Sequence, residues 1–292
     1  MHTLDYIQPV AFATNSIAGA LSAARHDADD ARDPSSGLTG LEQRVQDGLR
    51  AGEFHLVFQG AHRVAGGALA RLEAQVRWTH PDYGLLLPGI FMMPLDHPQL
   101  ALEMAQFVVD GVCRELRDCL AAQLPLRPVA IRVPAQVAVL ASFAEDIVRI
   151  AGSYGVPVHL LDIEVVDGAE AAKLLSLRTL TAGLRDAGAS ISLGQWGNGA
   201  SSLALLGALD VDTITISRDL MATVPREARA GLVMSTLMDL LQALDVQVVV
   251  NGIDTEAQLA WLKRWPQALA QGLLFSRPQA GLASVLKLRR VP

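Results

Sequence analysis

Short apolar runs that alternate with stretches of helical periodicity are the feature that most constrains the fold of this 292-residue chain. Residues 129–133 read VAIRV and residues 246–250 read VQVVV, and apolar residues at helical spacing follow each run. Strands buried on both faces of a parallel sheet have this composition. The repeated strand–helix unit predicts an α/β fold, with a TIM-like (β/α) barrel favoured and an open doubly wound sheet as the alternative.

The glycine pattern weakens the open-sheet alternative, because no phosphate-binding fingerprint follows the first strands. Residues 194–199 read GQWGNG, but they come late in the chain and lack the dinucleotide spacing.

Two further strands are predicted at residues 63–78 and 273–275, and the second of them is predicted as the last strand of the barrel.

The first forty residues differ from the rest in composition. Residues 17–24 have the pattern of a short helix, and residues 26–40 (HDADDARDPSSGLTG) are acidic and rich in Ser, Gly and Pro. Such a segment is typical of a linker or an N-terminal tail. We therefore expect a tail or linker over residues 1–40 and one barrel domain over residues 41–292.

Charge and cysteine usage exclude several classes of protein. The net charge of −6 argues against nucleic-acid binding, which requires a basic face. No window is continuously apolar over about 18 residues, so we expect a cytoplasmic chain without a membrane anchor. Cys113 and Cys119 are the two cysteines, and they form neither a disulfide framework nor a zinc site by themselves.

Polar residues stand at or near the ends of the predicted strands. Because (β/α) barrels place their sites at the carboxyl ends of strands, we expect a pocket at this mouth. The residues concerned are Glu73, Arg132, Glu164, Gln195, Ser217, Asn251 and Gln271.

The ten residues from Leu72 to Pro81, LEAQVRWTHP, resemble the Glu-Ala-Leu-x-Arg-Trp-x-His-Pro signature of the EAL family of cyclic-di-GMP phosphodiesterases. Residues 54–59 (FHLVFQ), 84–88 (GLLLP) and 271–278 (QGLLFSRP) are similar to further segments of that family. The resemblance implies a (β/α) barrel of the EAL type and a role in bacterial signal transduction.

The same resemblance implies a degenerate phosphodiesterase. The family binds two divalent cations and uses a catalytic Lys, and Glu73, Glu164 and Asp167 match acidic positions of that site. The other positions differ: Arg132 replaces an Asn, Thr215 the catalytic Lys, and Gly194, Gln195, Ser217 and Asn251 replace acids, with Asp254 at the later Glu. Arg132 carries a positive charge where an oxygen ligand belongs. We therefore expect no metal, no cofactor, no catalytic residue and no enzymatic activity.

Loss of catalysis does not require loss of ligand binding. The residues expected to bind cyclic-di-GMP, partly by resemblance and partly by their charge, are Gln59, Glu73, Arg77, Arg132, Glu164, Gln271, Phe275 and Pro278. The favoured function is a cyclic-di-GMP receptor that signals to a regulatory protein. A nucleotide-independent interaction module and a weak residual hydrolase are the alternatives, and a homodimer through residues 195–209 is a further expectation.

Overall fold

The computed structural model describes residues 37–92, 97–166, 178–197 and 210–288, together with Leu206. Its strands are β1 (Phe54–Arg63), β2 (Leu69–His80), β3 (Gly84–Leu86), β4 (Val129–Pro134), β5 (Leu161–Val166), β6 (Ser190–Trp196), β7 (Thr213–Ile216), β8 (Gln247–Asn251) and β9 (Leu269–Gln271). Its helices are α1 (Gly40–Ala51), α2 (Pro88–Phe91), α3 (Pro98–Ala121), α4 (Ala135–Ala138), α5 (Ala141–Tyr154), α6 (Arg178–Asp186), α7 (Arg218–Met221), α8 (Ala228–Ala243), α9 (Glu256–Leu262) and α10 (Leu282–Leu286), with a 3-10 turn at Val158–Leu160.

Eight of these strands close into a barrel. The strand order is β1-β9-β8-β7-β6-β5-β4-β2-β3, and a further β1–β2 pairing closes the ring, with β3 paired to β2 outside it. Neighbours from β4 to β9 are parallel, as are β2 and β4, whereas β1 runs antiparallel to β9. This confirms the predicted TIM-like (β/α) barrel over the open-sheet alternative.

The parallel register sets residues of successive strands at one level of the barrel. Arg132 on β4 is opposite Glu164 on β5, which is opposite Ser192 on β6. On the other side of the ring, Asn251 on β8 is opposite Gln271 on β9. Polar residues that are far apart in sequence are therefore brought together by strand pairing alone.

Two of the predicted strands are wrong in their bounds. Residues 63–78 are not one strand, because a turn separates β1 from β2, and Gly66 and Gly67 adopt positive φ values of 82° and 62° in it. The last strand is β9, which ends before Gly272, rather than residues 273–275. A Cβ on Gly272 would lie 2.1 Å from the Ile253 carbonyl oxygen, so the chain passes too close to its neighbour there for a side chain.

The described chain divides into two compact units, and the smaller one comprises the residues up to His55 together with Arg77–Leu100. Its α1 begins with a capping box, in which Thr39 accepts from the Glu42 amide and Glu42 accepts from the Thr39 amide. Trp78 is buried, stacks on Phe54 with ring centroids 4.9 Å apart, and donates from Nε1 to Glu53 at 2.8 Å. The Trp of the signature is therefore a core residue of this unit.

The larger unit comprises Leu56–Val76 and the residues from Ala101 onward. Its core includes Ala61, Val249 and Leu269, which pack together from β1, β8 and β9 respectively. No helix of the described residues is both long enough and apolar enough to cross a membrane. The N-terminal segment up to residue 36 and residues 167–177 lie outside the described residues. Most of the segment 195–209, through which a homodimer is expected, lies outside them as well.

Candidate functional site

Strand β2 divides its side chains between two faces by simple alternation. Leu72, Ala74 and Val76 are buried and apolar, whereas Arg71 and Glu73 between them carry charge and are also buried. Since alternate residues of a strand share a face, Arg71 and Glu73 point to the same side. Their contacts with β4, β5 and β9 show that this side is the barrel interior.

Arg132 lies between two buried carboxylates. One Nη of its guanidinium is 2.8 Å from Glu73 Oε1, and its Nε donates to Glu164 Oε1 at 3.0 Å. The side chains of Glu73 and Glu164 are 5% and 2% exposed, while that of Arg132 is 30% exposed. Arg132 therefore bridges the two acids from the open side of the cluster.

Arg71 forms a second, deeper set of contacts. Its Nε lies 2.9 Å from Asp162, and one Nη donates to Glu164 Oε2 at 3.0 Å. The same guanidinium donates to the Ser192 hydroxyl at 3.2 Å, and Thr215 Oγ1 donates to Glu164 Oε2 at 2.8 Å. Four strands are thus joined through one buried guanidinium and the acids around it.

Three glutamines complete the cluster around Glu73. Gln75 Nε2 donates to Glu73 Oε2 at 3.1 Å, and Gln271 Nε2 donates to the same oxygen. Gln59 accepts from both amides and itself donates to the Ser276 carbonyl oxygen at 2.8 Å. Gln75 stands where the signature has an apolar residue, and its side-chain amide is hydrogen-bonded within this network.

The ionisation of the cluster follows from burial and pairing together. Burial acts to raise the pKa of Glu164, but the charges of Arg132 and Arg71 outweigh it and hold that pKa below its usual range. Burial alone would lower the pKa of Arg132, and the charges of Glu73 and Glu164 raise it instead. For Asp162 burial prevails over the charge of Arg71, and its pKa is raised.

Two of the positions that depart from the family signature, Thr215 and Ser217, have hydrogen-bond partners in this chain. Thr215 contacts Glu164, and Ser217 caps α7 by accepting from the Asp219 amide at 3.2 Å. Gly194 leaves room for Glu164, because a Cβ at this position would lie 2.8 Å from Oε1. Asn251 Oδ1 is buried and has no hydrogen-bond partner among the described residues.

The structure brings together five of the eight predicted ligand-binding residues. These are Gln59, Glu73, Arg132, Glu164 and Gln271.

The other three predicted residues have different positions. Phe275 stacks on His62 with centroids 4.9 Å apart, and alternation puts His62 on the opposite face of β1 from Gln59. This contact is the packing of two side chains outside the cluster. Pro278 is half-buried in the segment between β9 and α10. Arg77 is half-buried on β2, in the part of that strand that belongs to the smaller unit.

Sequence reasoning missed Arg71, Asp162 and Ser192 as members of the cluster. The signal for two of them was alternation, since Arg71 precedes Glu73 by two residues and Asp162 precedes Glu164 by two. Two charges at this spacing in a run that is otherwise apolar are expected to share a face and to need partners. Ser192 offered no comparable signal, because a single hydroxyl in a strand is common.

The residues present do not fit a divalent-cation centre. Such a centre needs several oxygen ligands, but the Oε1 atoms of Glu73 and Glu164 already contact Arg132, whose charge repels a cation. Within the described ranges, no three His, Cys, Asp or Glu side chains gather closely enough to hold a metal ion. Asp167, an acidic position of the signature family, lies outside those ranges.

The fold and the site together define the class of protein: a (β/α) barrel whose strands carry a buried polar cluster inside the barrel. The chain belongs to the EAL domain family, whose model matches residues 42–278. It is 31% identical over 239 residues to the cyclic di-GMP phosphodiesterase NbdA of Pseudomonas aeruginosa. That match covers 82% of this chain but only 30% of the length of the relative.

Solved structures show the same fold. The PaMucR phosphodiesterase in its c-di-GMP complex superposes with a TM-score of 0.74 at 24% identity, covering 84% of this chain and 99% of that one. The EAL domain of FimX from Pseudomonas aeruginosa bound to c-di-GMP superposes with a TM-score of 0.71 at 16% identity, covering 83% of this chain and 97% of that one.

Proposed function

We propose that this protein is a catalytically silent EAL domain that binds cyclic-di-GMP without a metal ion and acts as a receptor in bacterial signalling. The observation that carries the proposal is the position of Arg132 between Glu73 and Glu164. A guanidinium in contact with both acids removes the two best cation ligands of the site and leaves a binding surface in place of a reaction centre.

The proposed absence of phosphodiesterase activity is argued from the groups that hydrolysis requires. Metal-assisted hydrolysis needs a Lewis acid that generates hydroxide and stabilises the transition state. Here the acids are neutralised by Arg71 and Arg132, and Thr215 is hydrogen-bonded to Glu164 instead of contributing a positive charge. We therefore expect no turnover of cyclic-di-GMP in the presence of Mg²⁺ or Mn²⁺.

The argument for binding rests on charge. Arg132 and Arg71 offset much of the charge of Glu73, Glu164 and Asp162, so that an anionic dinucleotide is repelled less than it would be by the bare acids. The Arg132 side chain is 30% exposed, so its guanidinium can donate to a phosphate. Two solved relatives of the same fold hold c-di-GMP.

Arg77, Phe275 and Pro278 contribute to the proposal by resemblance rather than by geometry. Arg77 is assigned to a phosphate of the dinucleotide, and Phe275 and Pro278 to a guanine. Since one face of Phe275 packs on His62, only its other face remains for a base. Gln59 and Gln271 are better supported, because they hydrogen-bond within the barrel cluster.

Calorimetric titration of the purified protein with cyclic-di-GMP, once with Mg²⁺ and once with EDTA, tests the proposal. Saturable binding of equal affinity in both buffers is the expected result. An EDTA-sensitive affinity, or chromatographic detection of the linear dinucleotide product, would show residual phosphodiesterase activity instead.

The variant Arg132→Ala tests the role assigned to that residue and is titrated in EDTA. Removal of the charge that balances Glu73 and Glu164 should weaken cyclic-di-GMP binding by about tenfold or more. Arg117→Ala is the matched control, because Arg117 is exposed on α3, where it contacts its neighbour Asp118 and the Tyr154 ring and no residue of the cluster. Equal affinities for the two variants would remove Arg132 from the binding site.

The second candidate is a nucleotide-independent protein-interaction module, which exposed apolar residues on α8 favour. Leu232 and Val233 are 67% and 53% exposed, and Leu232 lines a groove of about 410 Å³ with Trp261. Large exposed apolar side chains in a cluster are typical of interaction surfaces. No binding of cyclic-di-GMP in either buffer would favour this candidate over the receptor.

A further inference from the structure

We propose that Arg218 is a further phosphate-binding residue at the mouth of the barrel, and that Asp254 competes with the ligand for its guanidinium. The ligand class is an anionic dinucleotide, whose phosphate oxygens accept hydrogen bonds. The inference rests on the proposed receptor function and deepens it, because it adds one residue that contacts the ligand and one that limits its affinity.

Arg218 lies at the end of the barrel where the parallel strands finish. It is the first residue of α7 and follows β7 after Ser217. Since β7 and β8 are parallel, α7 begins at the end of the barrel where β8 finishes at Asn251. Gly252 has a positive φ of 79°, and a Cβ there would lie 2.8 Å from Arg218 Cβ. Glycine at position 252 therefore lets Arg218 lie directly against the loop that follows Asn251.

Short contacts join this loop to the buried polar cluster. The Ile253 amide donates to the Gln271 carbonyl oxygen at 3.1 Å, and the Gln271 side chain donates to Glu73. Glu73 in turn contacts Arg132. Arg218 and Arg132 thus belong to the same end of the barrel, where one dinucleotide can contact both guanidinium groups.

The guanidinium of Arg218 is available to a ligand. Its side chain is 73% exposed, and Nη2 lies 3.7 Å from Asp254 Oδ2, which is beyond hydrogen-bond distance. An exposed ion pair at this separation contributes little. A phosphate can accept two parallel hydrogen bonds from one guanidinium, which is a stronger interaction. A phosphate at the mouth should therefore replace Asp254 as the partner of Arg218.

Hydrogen bonds hold Asp254 in the position of a competitor. Its Oδ1 accepts from the Leu273 amide at 2.8 Å, and its own amide donates to Gln258 Oε1 at 2.9 Å. These contacts fix the carboxylate with Oδ2 on the side of Arg218. A ligand must break this attraction before it gains the guanidinium, so Asp254 lowers the affinity.

A buried acceptor beside Arg218 also points to a ligand at this place. Asn251 Oδ1 is buried and has no hydrogen-bond partner in the part of the chain that the structure describes. An unpaired buried acceptor is unfavourable, and a hydroxyl or N–H group of a nucleoside would satisfy it. Arg218 is the guanidinium next to this position along the mouth, so one nucleotide can use Asn251 for its nucleoside and Arg218 for its phosphate.

Calorimetric titration with cyclic-di-GMP in EDTA tests the inference on Arg218→Ala, Asp254→Asn and the double variant. Arg218→Ala should weaken binding by about tenfold, because one charge-assisted contact is lost. Asp254→Asn retains the oxygen that accepts from the Leu273 amide but removes the charge, and it should tighten binding by about threefold. The double variant should bind like Arg218→Ala, because Asp254 acts through Arg218.

Arg226→Ala and Glu256→Gln are the matched controls, since both residues are exposed and lie close in sequence to Arg218 and Asp254. Both should bind as the wild type does. Arg218→Lys guards against a folding defect of the alanine variant: it keeps the charge, loses the paired donors and should have an intermediate affinity. The thermal midpoint of unfolding of each variant should stay within about 2 °C of the wild type, as expected for exposed positions.

The outcomes separate this inference from the receptor function. Equal affinities of Arg218→Ala and Arg226→Ala would overturn the inference and leave the receptor function standing. A tightening by Asp254→Asn that persists without Arg218 would overturn the competition. If the wild type binds no cyclic-di-GMP, the receptor function and this inference are both wrong.

Discussion

At the scale of single residues, Arg71 illustrates how a buried charge depends on its surroundings. Its side chain is 7% exposed, and it contacts Asp162 and Glu164, whose side chains are 4% and 2% exposed. Transfer of such groups from water is costly, and their mutual contacts and the hydroxyls of Ser192 and Thr215 offset that cost. A buried pair of this kind is most sensitive to the loss of one partner.

Replacement of Arg71 by Met should destabilise the protein by about 3–5 kcal/mol, because two buried carboxylates lose their common partner. Urea unfolding followed by circular dichroism measures the difference. Arg117→Met is the control for loss of an exposed Arg, with an expected change within about 0.5 kcal/mol. Equal stabilities of the two variants would mean that Arg71 has no net role in the fold.

Cys113 provides a second test at this scale. Burial in α3, with a smaller contribution from Asp110, raises the pKa of its thiol to about 12. Burial raises the pKa of Cys119 as well. Because the thiolate is the reactive form, neither cysteine of the native protein should react readily with Ellman's reagent at neutral pH, whereas both should react in denaturant. Fast labelling of the native protein would contradict the burial of these thiols.

At the scale of elements, the sequence predicted the existence of strands better than their ends. The apolar run at residues 273–275 has strand composition, yet Leu273 is 55% exposed and the strand lies at Leu269–Gln271. Backbone proximity at Gly272 decides this end, and such proximity is a tertiary property that local composition does not contain. The turn at Gly66 and Gly67 was readable in principle, since paired glycines mark turns.

The capping box of α1 gives a prediction at this scale. Thr39→Ala removes the side-chain acceptor of the Glu42 amide and should lower the free energy of unfolding by about 1 kcal/mol. Thr39→Ser, which retains the hydroxyl, should cost much less. Unfolding in urea separates the two variants, and similar losses would assign the effect to the methyl group instead of the cap.

At the scale of the whole molecule, the cluster inside the barrel couples distant parts of the chain. Arg71 on β2, Arg132 on β4 and Glu164 on β5 depend on one another for charge balance. The sequence predicted Glu73, Arg132 and Glu164 for this site through resemblance to a signature. It did not predict that both carboxylates would be held by guanidinium groups, because that depends on the barrel register.

The lowered pKa of Glu164 gives a prediction about acid. A carboxyl group whose pKa is lower in the folded state contributes stability above its unfolded value of 4.5, and that contribution is lost as the pH falls through the folded pKa. The destabilisation by Glu164→Gln should therefore be largest at neutral pH and shrink below pH 4.5. Urea unfolding of the wild type and of Glu164→Gln, at neutral pH and below pH 4.5, measures this destabilisation.

Two features of this acid experiment keep the result specific. Asp162, whose raised pKa acts in the opposite direction, is present in both proteins and largely cancels in the difference. Glu145→Gln, at an exposed position of α5, is the matched control. A pH-independent effect of Glu164→Gln would contradict the pairing of its carboxylate with Arg71 and Arg132.

The bare backbone at Gly194 also limits how this barrel can change by mutation. Any side chain introduced there meets Glu164 Oε1, while Arg71, Thr215 and Arg132 all restrain that carboxylate. A side chain at position 194 is thus tolerated only where the Glu164 carboxylate gives up contacts with these three partners, so glycine at this position and the paired state of Glu164 depend on each other.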